Sequence, residues 1–329
     1  MPAPPVDSLE RLVDAAAALT RPLEPKRMLV IVNPYATTVS DRLKNLIVYA
    51  LRGRYEVEAV DTERKGHATQ LCREAAQEGY DLAVAFGGDG TVNEAANGLA
   101  GSQTALSVLP GGATNVYCRV LGIPTEIVDA TEHLLRLADR FSPRAVDLGR
   151  VNGRAFTFTA GLGLDASVVE RVDRHPRLKR RLGAYYFTYA AVTTFIRRYL
   201  VDAPRIEVAV GDERIEGVTA IIQNLTPYTY FNDRPIELGE DVEPEDGTLA
   251  GTVLERAHPL DMPTMAWRAF AASSRVAAHR RVRGFSGVRE LEARSLDGRP
   301  VPLQVDGDHI DDVTSARYAV EPGGLLVVA

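Results

Sequence analysis

The chain has little cysteine, a single tryptophan and no surplus of positive charge. Cys72 and Cys118 are its only cysteines in 329 residues, too few for a disulfide framework. Each sits in an apolar helical pattern, where a thiol is buried and inert, and a reducing cytoplasm is the expected compartment. Lys and Arg number 38 against 44 Asp and Glu, a formal charge of -6, which argues against a general nucleic-acid binder. Long apolar runs are missing as well: AYYFTYAAVTTF (184–195) is far short of the roughly 20 residues that a spanning helix needs. No basic segment precedes an apolar core at the N-terminus, so no signal peptide is expected. Finally, the chain contains no Gly-Lys dipeptide, which removes a phosphate loop of the Walker type.

What is present is ordinary globular material, 45% hydrophobic, at a length that suggests two domains. Residues 1–26 form an N-terminal extension, Pro-rich and then amphipathic, with Leu9, Leu12, Val13 and Ala16 at helical spacing after Asp7. From residue 28 the pattern is strand, turn and helix, repeated: MLVIVN (28–33), YEVEAVDT (55–62), DLAVAF (81–86) and ALSVLP (105–110), with helical patterns near 41–51, 68–78, after 91, after 116 and over 125–140. Such alternation predicts an open parallel sheet with helices on both faces, a three-layer α/β domain over 27–145. After Pro143 the texture changes to short β runs with Gly and Asp turns, among them RAFTFTAGLGL (154–164) and PVPLQVDGD (300–308), interrupted by helical patterns near 179–200 and 259–277. This predicts a mainly antiparallel β-sandwich over 146–314, with residues from about 315 to 329 returning to the first domain.

Three strands of the first domain run into small or polar loops before a helix: 33–38, 87–91 and 111–115. In an open parallel sheet the ligand crevice lies beyond the carboxyl ends of the strands. Helix-start amides attract phosphate there, and glycine lets the backbone come close. A dinucleotide GxGxxG would need glycine at 93, where Asn93 stands. A nucleotide held without a phosphate-loop lysine calls for another positive charge, and Mg²⁺ is the natural substitute, with Asp89 as a hard oxygen donor in the turn. The helix that follows buries Val92, Ala95, Ala96 and Leu99 at i, i+3, i+4 and i+7. Glu94 near its start reads equally as a site residue or as a partner of the helix dipole.

GGDGTVNEAANGL (87–99) resembles the signature of the diacylglycerol kinase catalytic family, which includes sphingosine kinases and bacterial soluble lipid kinases. The resemblance continues in order through NPYAT (33–37), TERKGH (62–67), GGATN (111–115), FTFTAGLGLDA (156–166), EDGTL (245–249) and QVDGD (304–308). It implies an ATP- and Mg²⁺-dependent kinase that phosphorylates a lipid primary hydroxyl. By that resemblance Asn33, Thr37, Thr62, Gly87, Gly88, Asp89, Gly90, Thr91, Glu94, Gly111, Gly112, Thr114, Asn115 and Asp308 form the nucleotide site. Asp89 and Asp306 are the catalytic acids, with Asp306 as general base. Asp89 holds metal beside the phosphates, and Asp246 holds a second, structural Mg²⁺. The chain departs from the family in NPYAT, in Val116 where an acid is usual, in Thr159 where Asn is favoured and in Asp308 where Glu is commoner. Asp306 and Asp308 would share one face of an extended strand, but on spacing alone Asp-Gly reads rather as a hairpin turn.

The segment 174–200 is basic, then aromatic and apolar, then basic, and HRRVRG (279–284) forms a second basic cluster. Both suit an anionic lipid surface, and both suit a core helix with solvated ends. The expected partner is a lipid substrate met transiently at a membrane surface by a cytoplasmic protein, with no nucleic acid; a homodimer is left open. Two other functions fit the same turn: a small-molecule kinase of the NAD kinase type, and a noncatalytic nucleotide- or lipid-binding relative.

Overall fold

The computed structural model describes residues 24–36, 39–173, 193–194, 199, 203–231, 234–261, 264–265, 268 and 276–329. Most of the N-terminal extension, and most of the helical patterns expected over 179–200 and 259–277, lie outside the described residues. The chain divides into two units, Met1–Val146 with Gly323–Ala329, and Asp147–Pro322.

In the first unit, strands β1 (Arg27–Val32), β2 (Glu56–Asp61), β3 (Leu82–Gly87) and β4 (Ala105–Pro110) pair in parallel in the order β2-β1-β3-β4. The end of the chain adds beside β4, with Val327 opposite Leu106 and Val328 N donating to Leu106 O. β3 and β4 are buried at all six positions, as apolar runs covered on both faces must be. The helices are α1 (Asp41–Arg52), α2 (His67–Gln77), α3 (Asp89–Leu99), α4 (Val116–Val120) and α5 (Ile127–Leu137), the last continued by a 3₁₀ turn, Ala138–Arg140. Ser40 caps α1 by accepting from Leu43 N, and α3 buries the four residues its spacing predicts. Strand order and helix crossovers bring the loops after β1, β3 and β4 to the same edge of neighbouring strands.

The second unit contains β5 (Arg144–Val151, starting in the first unit), β6 (Arg154–Phe156), β7 (Thr159–Leu162), α6 (Leu164–Asp173), β8 (Ile206–Val210), β9 (Glu213–Gly217), β10 (Thr219–Gln223), β11 (Thr229–Phe231), β12 (Arg234–Ile236), β13 (Leu249–Leu254), β14 (Val282–Val288), β15 (Glu290–Ser295), β16 (Val301–Val305), β17 (Asp308–Val313) and β18 (Ser315–Val327, whose last residues belong to the first unit). One antiparallel sheet runs β14-β13-β10-β7-β16-β17, and another runs β18-β15-β8-β9 with β5 beside β18 and β6. Phe156, Leu162, Ile222 and Leu303 pack with Val208, Leu291, Ala293 and Tyr318 in one core. Two features were not expected. The run over 154–164 is two strands broken at Thr157 and Phe158, and a helix, α6, follows where no helix was read. Its buried residues are Ala166, Ser167, Val168, Val169 and Val172, and the β-branched valines disguise the helical period.

In the first unit, Tyr55 is buried and its hydroxyl donates to Leu134 O at 2.7 Å. Burial pushes the phenol well above its usual value. Tyr55→Phe leaves a carbonyl of α5 without that donor and is expected to destabilise the unit by about 1–2 kcal/mol, read as a lower urea midpoint by circular dichroism.

Candidate active site

In the first unit the loops after β3 and β4 meet backbone against backbone. A side chain on Gly112 would begin 2.8 Å from Gly88 Cα, and one on Gly111 3.0 Å from Gly87 Cα, so neither loop has room for one. The loop after β4 is closed by Asn115. Its Oδ1 accepts from Gly112 N at 2.9 Å and its Nδ2 donates to Gly112 O at 3.0 Å. Asn115 sits at φ 46°, a left-handed conformation that Asn tolerates. The loop after β1 is tied to the same place: Asn33 Nδ2 donates to Thr91 Oγ1 at 3.0 Å, and Asn33 N donates to Phe86 O at 2.9 Å.

Asp89 opens α3, with Gly90 next. Its Oδ2 accepts from the Thr114 hydroxyl at 3.1 Å and its Oδ1 from Tyr117 N at 3.3 Å. The acid in the glycine turn therefore ties the loop after β4 to the start of α3. Val116, at the position where an acid is usual in the family, is a buried core residue. Glu94 has turned to α2, accepting from Gly66 N at 2.7 Å and Ala68 N at 3.2 Å. Those are first-turn amides of a helix that has no side-chain cap of its own. Glu94 thus anchors the segment after Thr62, whose own N donates to Val32 O at the end of β1. Thr37 lies outside the described residues.

The donor set fits the phosphates of a nucleotide: bare glycine backbone, and an eleven-residue helix starting at Asp89. Among the described residues no three His, Cys, Asp or Glu side chains gather into a preformed metal cage. Mg²⁺ commonly takes one or two carboxylates and completes its shell with phosphate oxygens and water, so Asp89 remains chemically suitable. Asp246 serves its own turn, where its carboxylate accepts from Glu243 N, Thr248 N and the Thr248 hydroxyl at 2.8–3.0 Å.

In the second unit Asp306 and Gly307 are the two turn residues of the β16–β17 hairpin, at φ 48° and 81°, with Val305 opposite Asp308. This is the doubly left-handed turn that Asp-Gly favours, so the strand-face argument for Asp306 and Asp308 does not apply: Asp308 begins β17 across the turn. Asp306 is nonetheless only 4% exposed. Its Oδ2 accepts from Thr157 N at 2.7 Å and the Thr157 hydroxyl at 2.8 Å; its Oδ1 accepts from Phe158 N and Thr159 N, both at 3.0 Å. The break between β6 and β7 is what frees those amides. Burial pushes the carboxyl up from its ordinary value while the four donors pull it down. The three amides can only donate, so the pocket is shaped for the ionised form.

Residues 27–151 match the model of the diacylglycerol kinase catalytic domain. Over those residues the chain resembles that family. The diacylglycerol kinase of Bacillus subtilis (strain 168) is 37% identical over 172 residues, 49% of this chain and 54% of that protein. That of Staphylococcus aureus (strain MRSA252) is 36% identical over 169 residues, 49% and 51% of the two chains. The chain thus spans about half the length of these curated relatives. A crystal structure of a candidate diacylglycerol kinase from Bacillus anthracis str. Sterne superposes with a TM-score of 0.71 at 22% identity, covering 93% of this chain and 98% of that one. At that identity the likeness is one of fold, and it is the fold expected from the sequence: a parallel α/β part followed by antiparallel sheets.

The residues that match the diacylglycerol kinase catalytic domain carry the glycine loops, and the second unit carries Asp306. Sequence reasoning missed Thr157, whose amide and hydroxyl both reach Asp306, and Gln304, a polar residue buried in an otherwise apolar strand. A polar side chain inside a buried β run was the available signal. On the lipid side, segment 174–200 lies almost wholly outside the described residues. In the second cluster Arg280 and Arg281 face Asp261 at 2.9 and 3.6 Å, and Arg283 pairs with Glu255 at 3.0 Å. Among the described residues no helix is long and apolar enough to cross a membrane.

Asp306→Asn sets an amide nitrogen against backbone donors. The variant is expected to lose about 3 kcal/mol of stability in the second unit, read as a lowered urea midpoint. Inactivity of that variant must therefore be judged against its folding.

Proposed function

We propose that the chain is an ATP- and Mg²⁺-dependent lipid kinase that transfers the γ-phosphate to a primary hydroxyl of a lipid such as diacylglycerol or a sphingoid base. The observation that carries this reading is the side-chain-free meeting of Gly87–Gly88 with Gly111–Gly112 at the start of α3, inside a diacylglycerol kinase catalytic domain. Phosphoryl transfer asks for positioning and charge neutralisation more than for strong bases. The glycine loops and the first amides of α3 would hold the phosphates. Asn33 and Asn115 would fix the shape of the loops, and Asp89 would hold the metal edge of the site. Bound Mg²⁺ would supply the positive charge that the missing lysine does not.

Asp306 is the carboxylate assigned to the acceptor hydroxyl. Of its four donors, three are backbone amides and one is the rotatable Thr157 hydroxyl. A substrate hydroxyl takes the place of that fourth donor, and Asp306 then orients it toward phosphorus. The new oxygen–phosphorus bond forms as the bond to ADP breaks, and the hydroxyl proton leaves late toward the carboxylate. The contact with a lipid headgroup is assigned to a membrane surface, which the substrate's own insolubility requires.

Radiolabelled ATP with Mg²⁺, offered diacylglycerol, a sphingoid base and NAD in parallel, tests the reading. Label in either lipid supports it. Label in NAD alone would make the chain a small-molecule kinase, and ATP binding without transfer would make it a noncatalytic relative. Asp89→Asn is expected to lower lipid phosphorylation about a hundredfold, at a melting midpoint close to wild type.

A further inference from the structure

Asp165 lies in the first turn of α6, half-buried, and its two oxygens face different partners. The Tyr228 hydroxyl donates to Oδ1, and Gln304 Nε2 donates to Oδ2 at 2.6 Å. The other end of the Gln304 amide, Oε1, accepts from Gly307 N at 2.8 Å. The amide's orientation follows from this, because Gly307 N–H needs an acceptor and Asp165 needs a donor. A chain of three hydrogen bonds therefore runs from Tyr228 through Asp165 and Gln304 to the turn that carries Asp306. β7 leaves room for it: a side chain at Gly161, the register partner of Gln304, would begin 2.1 Å from Asp165 Oδ2 and 2.9 Å from Gln304 Nε2.

Gly307 and Asp306 are the two central residues of one hairpin turn. The amides of 157–159 hold the Asp306 side chain, and Gln304 holds the turn's backbone at Gly307 N. Asp165 is the charged group that orients Gln304. Desolvation pushes the Asp165 carboxyl up, and the Tyr228 and Gln304 donors oppose that push; Tyr228 is raised by the same burial and by the neighbouring acid.

We infer that Asp165 is a positioning residue for the reaction proposed above. Acting through Gln304 and Gly307, it sets the turn that aims Asp306 at the acceptor hydroxyl. The inference rests on that reading for its kinetic consequence and on the hydrogen-bond chain alone for its structural one.

Asp165→Leu removes both acceptors, leaves Gln304 Nε2 and the Tyr228 hydroxyl unmet, and breaks the chain. The expected result is a kcat for lipid phosphorylation lower by about 10- to 100-fold, with KM for ATP and for dioctanoylglycerol within about twofold of wild type. Amide hydrogen exchange at Gly307 should also be about tenfold faster. Gln304→Glu alone places two carboxylates together and should be no better. The double variant Asp165→Asn with Gln304→Glu rebuilds all three hydrogen bonds at the original net charge: Tyr228 to Asn Oδ1, Asn Nδ2 to the glutamate, and Gly307 N to the glutamate. It should recover both kcat and exchange protection. Wild-type kcat and protection in Asp165→Leu would overturn the inference, and so would a double variant that folds yet recovers neither. If the wild-type protein phosphorylates no lipid, the kinase reading fails, while Gly307 exchange in the three variants still decides the part played by Asp165.

Discussion

A carboxylate removed from water has to be met by donors, and the loops in both units are arranged around that need. Asp89 draws the Thr114 hydroxyl and the Tyr117 amide toward the start of α3. Glu94 takes the first amides of α2, and Asp306 gathers three successive amides and a hydroxyl from the break between β6 and β7. Asp246, exposed to solvent, folds its own turn by accepting from Glu243 N, Thr248 N and the Thr248 hydroxyl. In each case the acid gives a segment of irregular backbone a fixed course. Those segments are the ones a phosphate or a substrate hydroxyl would approach.

The glycines are the counterpart of the acids. Where Gly88 meets Gly112, any side chain would force the loops apart, and bare backbone amides are what an anion can reach. Positive charge is sparse there. Arg119 donates its Nε to Thr114 O at 3.2 Å, which ties it to the loop from outside, and the chain has no phosphate-loop lysine. A nucleotide held there, as proposed, would depend on geometry and on a bound cation rather than on a fixed ammonium group. That is why a carboxylate belongs in a turn that looks built for anions.

Asp306 shows how a turn and a site coincide. As one of two left-handed residues it makes the hairpin, and as a buried anion it organises the strand beside it. The amides that pin it favour its ionised form, while burial raises its carboxyl above the ordinary value. An acceptor of that kind suits a reaction in which the proton moves late.

The alternation of apolar runs with helical periods was enough to specify the parallel sheet. β3 and β4 are buried at every position, as short, largely apolar runs bounded by glycine turns are when both sheet faces are covered. Val92, Ala95, Ala96 and Leu99 likewise determined which face of α3 is inside, because helical spacing is a local property. The spacing of Asp306 and Asp308 was ambiguous for the converse reason: a period of two holds only within a strand, and whether Asp-Gly turns is settled by what pairs across it. The valines of α6 hid a helix because β-branching speaks locally for a strand, and packing overrode it. Glu94 looked like a residue for phosphate or dipole, and only the approach of α2 gave it two amides to cap. Thr157, Gln304 and Tyr228 have no mark in the chain that ties them to an acid up to 149 residues away. Hydrogen bonds between distant segments exist only once the strands are in register, so the sequence determined the elements and the acids, and the tertiary structure decided which donors each acid holds.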